Sequence, residues 1–392
     1  MSKEIIHYAV IGAGRAAQLH IDSILKFNDI PVELNTICDY QFEKCLEYQT
    51  KYGFSNVTTN FDEVVNNKDI DVIDICTPPY LHEEMIKKSL LAGKHVICEK
   101  PLSGYFGSKE ESNIGNNVSK ELMYKELLNN LDEITKIVKN SDKKFMYAEN
   151  FIYAPSIQKA AEIIRKKKSK IMFAKGEESL KGSSSPVAGL WNKTGGGTFI
   201  RTGAHPLSAI LWLKSLEGKV RGEKIKVKSV MADFGRSTSN LSPYDHRHIQ
   251  ANPIDVEDTG AVILTFTDDT KAVVMATDTL LGGSKNYVDL YCNDAVINCN
   301  ITMSNLMSTY FLDEDRLDDV YISEMLPSKT GWNNVFLEDE ILRGYVYEMH
   351  DFMECVLYDK EPISNFELAY DSIKIMYAAY MSAELGKRIE IE

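Results

Sequence analysis

The chain has 392 residues, 44% of them hydrophobic and 26% charged, with a net charge of −13 and seven cysteines. That length and balance fit two globular domains with a core each and exclude a disordered or collagen-like chain. No apolar run reaches the length of a membrane span, and no basic stripe with interleaved aromatics is present, so neither a membrane nor a nucleic acid is an expected partner. The cysteines are scattered and form no C-x-x-C pair, which predicts reduced thiols, no zinc and no disulfide. Residues 1–4 lead directly into a strand pattern with no signal peptide, and the expected location is cytoplasmic.

Residues 5–11, IIHYAVI, predict a first buried strand, and Gly12-Ala13-Gly14-Arg15-Ala16-Ala17 follows at once with a helix pattern from Arg15. In this G-x-G-x-x-A order Gly12 permits a tight turn, Gly14 lets backbone approach a pyrophosphate, and Ala17 allows close packing of helix on strand. The helix start at Arg15 and Ala16 offers free N–H groups and positive dipole to phosphates. Residues 32–38 read as a second strand ending in Asp39. An acid there accepts hydrogen bonds from an adenosine ribose and repels a 2′-phosphate, which favours NAD over NADP. A helix N-cap is its other reading.

A third strand over 71–76 runs into Thr77-Pro78-Pro79-Tyr80-Leu81-His82, a proline-fixed turn able to pass beside a dinucleotide, and then a helix over 83–92. His82 is either a cofactor contact or only the start of that helix. Residues 95–98 form a further apolar strand that ends in Glu99-Lys100-Pro101. Ligands of open α/β sheets bind beyond the carboxyl ends of the strands, so Glu99 and Lys100 point toward whatever this sheet binds. Residues 103–118 are rich in Gly, Ser and Asn without periodicity, a loop insertion expected to cover part of the pocket. A helix over 119–139 and a strand over 144–148 complete a Rossmann-type nucleotide-binding domain, 1–148.

Residues 149–392 predict a second α/β domain. After the crossing Glu149-Asn150-Phe151-Ile152-Tyr153-Ala154-Pro155 comes a helix from Ser156. Strands are expected over 170–178, 224–234, 261–267, 272–277, 287–292 and 295–300, a large and mostly antiparallel open sheet. Helices over 344–357 and 366–385 follow, the last expected to pack back on the first domain. Between the strands, Gly195-Gly196-Gly197 permits close approach of backbone to a ligand or helix. Arg201 and His205 then stand near the start of a helix over 207–213. Taken alone, His205 there is more readily a capping or packing residue than a catalyst.

GAGRAA, Asp39, TPPYLH and GKHVICEKP, in that order and spacing, resemble the Gfo/Idh/MocA family of NAD(P)-dependent sugar and polyol oxidoreductases, and GGGTFIRTGAH resembles its second signature. The resemblance covers the whole chain. It implies Lys100 beside the nicotinamide and the reacting hydroxyl, His205 as its catalytic partner, and a carbohydrate-like substrate. It also implies a second domain that binds substrate and assembles a homodimer or homotetramer. Asn150 and Tyr153 are expected to line the substrate pocket. Two departures stand out. The family usually places an aspartate four residues before the histidine, where Arg201 stands, and many members carry an arginine in the crossing, where none is found. Arg201 is either in a structural ion pair, with Glu177 or Glu178, or a clamp for an anionic substrate group. The expected function is hydride transfer between NAD and a hydroxyl of a sugar, polyol or sugar acid. Redox-neutral glycoside hydrolysis with the same residues and a non-catalytic NAD-binding regulator are the alternatives.

Overall fold

Short runs that are apolar without alternation must be covered on both faces, and helical crossovers supply that cover. In the computed structural model, which describes residues 5–108, 111–302, 307–315, 317–318, 320, 322, 328–335 and 339–391, the first such unit runs β1 (Ile6–Ile11), α1 (Arg15–Ile24), β2 (Val32–Cys38), α2 (Phe42–Tyr52), β3 (Asn56–Thr58), α3 (Phe61–Asn66), β4 (Val72–Ile75), α4 (His82–Leu91), β5 (His95–Glu99), α5 (Ile114–Asn117), α6 (Lys120–Asn140) and β6 (Phe145–Ala148). Its sheet has the order β3-β2-β1-β4-β5-β6, parallel throughout. The chain changes its direction of growth between β1 and β4, and the loops after these two strands flank the crevice there. Residues 1–4, on which the reading of the N-terminus rests, lie outside the described residues.

The second unit runs α7 (Pro155–Lys167), β7 (Ile171–Ser179), α8 (Trp191–Thr194), α9 (Ala204–Arg221), β8 (Val227–Gly235), α10 (Pro243–His246), β9 (Thr259–Phe266), β10 (Lys271–Thr277), β11 (Lys285–Cys292), β12 (Val296–Asn300), β13 (Ser308–Phe311), β14 (Gly331–Asn334), α11 (Asp339–Leu342), α12 (Tyr345–Tyr358), α13 (Phe366–Leu385) and β15 (Ile389–Glu390). Seven strands order as β12-β11-β7-β10-β9-β8-β15. All pairs are antiparallel except β7 with β10. Along β10, Ala272, Val274 and Ala276 are buried while Lys271, Val273 and Met275 face the other way, the period-two pattern of a sheet covered on one side. Helix α9 covers that side. The helical run is longer than the sequence predicts, because a π-turn over Phe199–Gly203 leads straight into Ala204. Residues 204–211 are buried all round, so no amphipathic period marks them. Helix α13 packs back on α6 and β6 of the first unit, and also on α9 and β8 of the second.

The insertion over 103–118 is a strap. Tyr105 N donates to Tyr377 Oη (2.6 Å), and Trp191 Nε1 donates to the Tyr105 carbonyl (3.2 Å). The buried Asp255 then accepts from Gly115 N (3.0 Å) and from Trp191 N (2.7 Å), fastening α5 to α8. Its described residues, 103–108 and 111–118, do not line the cavity below the Lys100 loop. These residues are engaged with the second unit, and Phe106 meets Tyr80 of the turn after β4 (ring centroids 6.3 Å apart). Asp255→Ala leaves two buried N–H groups unpaired and should cost roughly 3 kcal/mol in denaturant unfolding, with faster proteolysis within 103–118. Unchanged stability and cleavage would contradict the strap.

Candidate active site

Gly12 has φ +99°, and a Cβ there would meet the Cys76 carbonyl at 2.6 Å, so the turns after β1 and β4 touch. Asp39 is half-buried, accepting from Ala13 N at 2.8 Å and Gln41 N at 2.9 Å; it braces the glycine turn and opens the way into α2 at once. Over Gly14 there is open space, and α1 begins with no capping side chain and no acid in its first turn. Ala17 is buried against the sheet. A free, uncapped helix N-terminus beneath a glycine turn fits a dinucleotide pyrophosphate.

Beyond these turns lies a cavity of about 340 Å³. Arg15, Ala16, Thr77, Glu99 and Lys100 line it from the first unit, and Glu178, Arg201, His205, Asn286 and Arg343 from the second. Lys100 donates through Nζ to the Arg201 carbonyl, and its backbone N–H donates to Glu99 Oε2 at 2.9 Å. Behind Glu99 sits buried His20, with Nε2 3.4 Å from Glu99 Oε1 and Nδ1 2.8 Å from Asp74 Oδ2. Burial alone would keep His20 neutral, but Asp74 and Cys76 outweigh it and raise its pKa well above the usual range. Burial likewise pushes Glu99 up, yet the His20 hydrogen bond and the charges of His20 and Lys100 hold it below its ordinary value.

His205 is 4% exposed, stacked on Phe151 (centroids 4.9 Å apart, planes at 22°), with Nδ1 2.6 Å from Glu149 Oε1. A carboxylate can only accept there, so Nδ1 carries the hydrogen and the neutral ring keeps its lone pair on Nε2. Nε2 lies 4.0 Å from Glu178 Oε2.

The first unit matches the model of the oxidoreductase family with NAD-binding Rossmann fold over residues 6–112, and the second matches the GFO/IDH/MocA C-terminal domain over 172–298. The chain belongs to the Gfo/Idh/MocA family of oxidoreductases. Among curated proteins it is similar to levoglucosan dehydrogenase of Pseudarthrobacter phenanthrenivorans, 39% identical over 19% of each chain. It is also similar to D-glucoside 3-dehydrogenase of Escherichia coli, 32% identical over 26% of this chain and 28% of that one. The chain thus spans less than a third of the length of these relatives. GenD2 of gentamicin A biosynthesis, solved in complex with NAD, superposes with a TM-score of 0.78 at 20% identity, covering 100% of this chain and 98% of that one. Levoglucosan dehydrogenase, solved with NADH and L-sorbose, superposes at 0.71 and 18% identity, with 100% of both chains covered. At these identities the likeness is one of fold.

Against that family pattern, Arg201 pairs with Asp278, which also accepts from Thr198 Oγ1 at 3.1 Å. The partner is neither Glu177, which holds Lys285 at 3.1 Å, nor Glu178. The helix start before Arg201 is likewise occupied, since Glu257 accepts from Gly197 N and Phe199 N, both at 2.9 Å. Both positive groups named from the sequence already face acidic side chains. The crossing places none of its residues in the cavity lining. Tyr153 does not line the cavity, because its hydroxyl is turned to Asp351 (2.7 Å) and Ser364 N (3.0 Å). Asn150 is also outside it, donating to the Arg343 carbonyl at 2.9 Å. Arg343 itself brings a guanidinium to the cavity that the crossing lacks. His82 is buried between the carbonyls of Pro101 (2.9 Å) and Thr77 (2.8 Å), so it braces two site loops and does not face a ligand. Pro78 and Pro79 shape the turn outside the cavity.

Glu149, Glu178, Asn286, Arg343 and Glu257 carried no assigned role in the site from sequence. The signals available were an acid closing β6, an acid closing β7, and a solitary arginine before Gly344. Burial raises the Glu257 pKa from 4.5 to about 7 against the pull of its N–H donors. The folded protein then holds that proton more tightly than the unfolded chain. Its contribution is fully present below about pH 4.5 and is lost as the pH rises through about 7. Glu257→Gln, which mimics the protonated acid, should flatten the fall of stability across that window by about 3 kcal/mol at most. Parallel stability–pH curves for the two proteins would contradict this.

Proposed function

We propose that this protein is an NAD-dependent dehydrogenase that oxidises a hydroxyl of a neutral sugar or polyol. The observation that carries the reading is the convergence of Lys100 Nζ and His205 Nε2 on one cavity, beside an uncapped helix start suited to a pyrophosphate. The relatives named levoglucosan, D-glucoside and myo-inositol dehydrogenase support a carbohydrate-like substrate.

Gly12, Gly14, Arg15, Ala16 and Asp39 would hold the cofactor, with Thr77, Glu99 and Lys100 at its reactive end. When bound, NAD supplies the hydride acceptor. The protein's own part is to manage the proton. A substrate hydroxyl between Lys100 and His205 gives its proton to His205 Nε2, and the resulting imidazolium is stabilised through Nδ1–H by Glu149. Lys100 leaves the Arg201 carbonyl and donates to the substrate oxygen as it becomes a carbonyl. The low position of Glu99, backed by His20, keeps a negative charge beside the lysine ammonium. A regulator that only senses NAD has no use for this lysine–histidine pair, which argues for catalysis.

Asp39 beside the ribose position should make NAD bind at least tenfold more tightly than NADP, about 1.4 kcal/mol, and Asp39→Ala should narrow that gap. Equal affinities in wild-type calorimetry would refute the assignment. With a panel of sugars and polyols followed by NADH absorbance, Lys100→Ala and His205→Ala should each lower turnover by roughly a hundredfold or more on the best substrate. Near wild-type rates in both variants would overturn the mechanism.

A further inference from the structure

Glu177 and Glu178 are neighbours in sequence on opposite faces of β7. Glu177 faces outward, with one oxygen on Ser179 Oγ at 2.8 Å and the other on Lys285 at 3.1 Å. Glu178 faces the cavity. In the antiparallel pairing of β7 with β11 it stands opposite Asn286, so the two side chains rise from the same face of the sheet. Both line the cavity of Lys100 and His205. They are 4% and 3% exposed. Each carries a buried oxygen, Glu178 Oε2 and Asn286 Oδ1, that finds no hydrogen-bond partner among the described residues.

Buried polar atoms in folded proteins are nearly always paired, because an unpaired acceptor has lost its water and gained nothing in return. Two such acceptors on facing strands, inside a ligand cavity, point to a ligand that brings donors. We infer that Glu178 and Asn286 are the substrate-binding acceptors of this site, taking hydrogen bonds from hydroxyls of a neutral ring next to the hydroxyl oxidised at Lys100 and His205. The inference rests on the dehydrogenase reading above and names its substrate class: vicinal diols of neutral sugars or cyclitols.

Spacing and charge both support this. Glu178 Oε2 is 4.0 Å from His205 Nε2, a gap that hydroxyls on adjacent carbons can bridge, one bonded to each group. Burial pushes the Glu178 pKa up, while His205, Arg343 and Lys100 pull against it. An acidic substituent placed here would meet the Glu178 carboxylate. An ammonium would meet the charges of Arg343 and Lys100. A neutral hydroxyl meets neither penalty and supplies the missing donor.

The test sets wild type against Glu178→Gln, Glu178→Ala and Asn286→Ala. Each is assayed with NAD on myo-inositol, D-glucose and methyl α-D-glucoside, and on 2-deoxy- and 4-deoxy-D-glucose, D-glucuronate and D-glucosamine. Binding of the same compounds to the NADH-loaded protein is measured by calorimetry. The expected result is use of at least one neutral polyol, with a deoxy analogue weaker by roughly tenfold to a hundredfold, the scale of a hydrogen bond to a charged group. Glu178→Ala should erase that preference mainly through KM, Asn286→Ala should weaken it, and Glu178→Gln, which keeps one acceptor, should retain more of it. The melting temperature of the free Glu178→Gln protein should hold or rise, since an unpaired buried carboxylate is removed; a residue kept for stability would lower it. If sugars are oxidised but deoxy, acidic or amino compounds serve equally well, or Glu178→Ala keeps the wild-type preference, this inference falls and the dehydrogenase reading stands. Selective binding without NADH formation would keep the Glu178 assignment and overturn the dehydrogenase reading. Neither binding nor turnover by any compound overturns both.

Discussion

The buried hydrogen bond between His205 and Glu149 is the joint on which the rest of the site depends. Glu149 directly follows the last strand of the cofactor sheet, and His205 is the second residue of the long helix of the second domain. Phe151, two residues beyond Glu149, stacks against the other side of the ring. Leaving a buried hydrogen-bonding group without its partner typically costs about 1–3 kcal/mol, and more for a charged one, so the two domains cannot readily slide past each other without losing this contact. The same bond decides which ring nitrogen faces the cavity. Lys100 on the Arg201 carbonyl makes a second tie across the seam, and α13 a third.

A helix start aimed at a pocket is usually an invitation to an anion. Here the chain supplies its own. Asp255, Glu257 and Asp258 are all buried, and each accepts from two backbone N–H groups. At the glycine-rich turn itself Glu257 takes Gly197 N and Phe199 N, and Asp278 takes Arg201. The cavity is lined from this side by a mixed set: His205 on α9, Glu178 and Asn286 on the sheet, Arg201 paired with Asp278, and Arg343. On the cofactor side buried His20 stands between Asp74 and Glu99, its pKa raised by Asp74 and Cys76.

Much of this was legible in the sequence, for stated reasons. The parallel strands are buried on both faces and therefore read as continuous apolar runs, and Gly12 stands where only a small residue fits. The strands of the second sheet alternate, so they too could be read. Strands β3 and β15 are too short to show a pattern, and the start of α9 is too uniformly buried. Side-chain direction in the crossing could not be read, because a 3₁₀ turn over Asn150–Tyr153 has no period long enough to assign faces. Hence Tyr153 was expected in the pocket where Phe151 stands behind the histidine. The partner of Arg201 lies 77 residues away on another strand end, beyond any local signal.

The central claim is that Lys100 and His205 act on one oxygen, held there by Glu149. A crystal structure of the protein with NADH and a sugar or polyol that it oxidises tests this most directly. The account predicts Lys100 Nζ released from the Arg201 carbonyl, with Nζ and His205 Nε2 both within hydrogen-bond distance of the same substrate oxygen and Nδ1 still on Glu149. A sugar bound with its oxygens away from both groups, and Lys100 still on the Arg201 carbonyl, would contradict it.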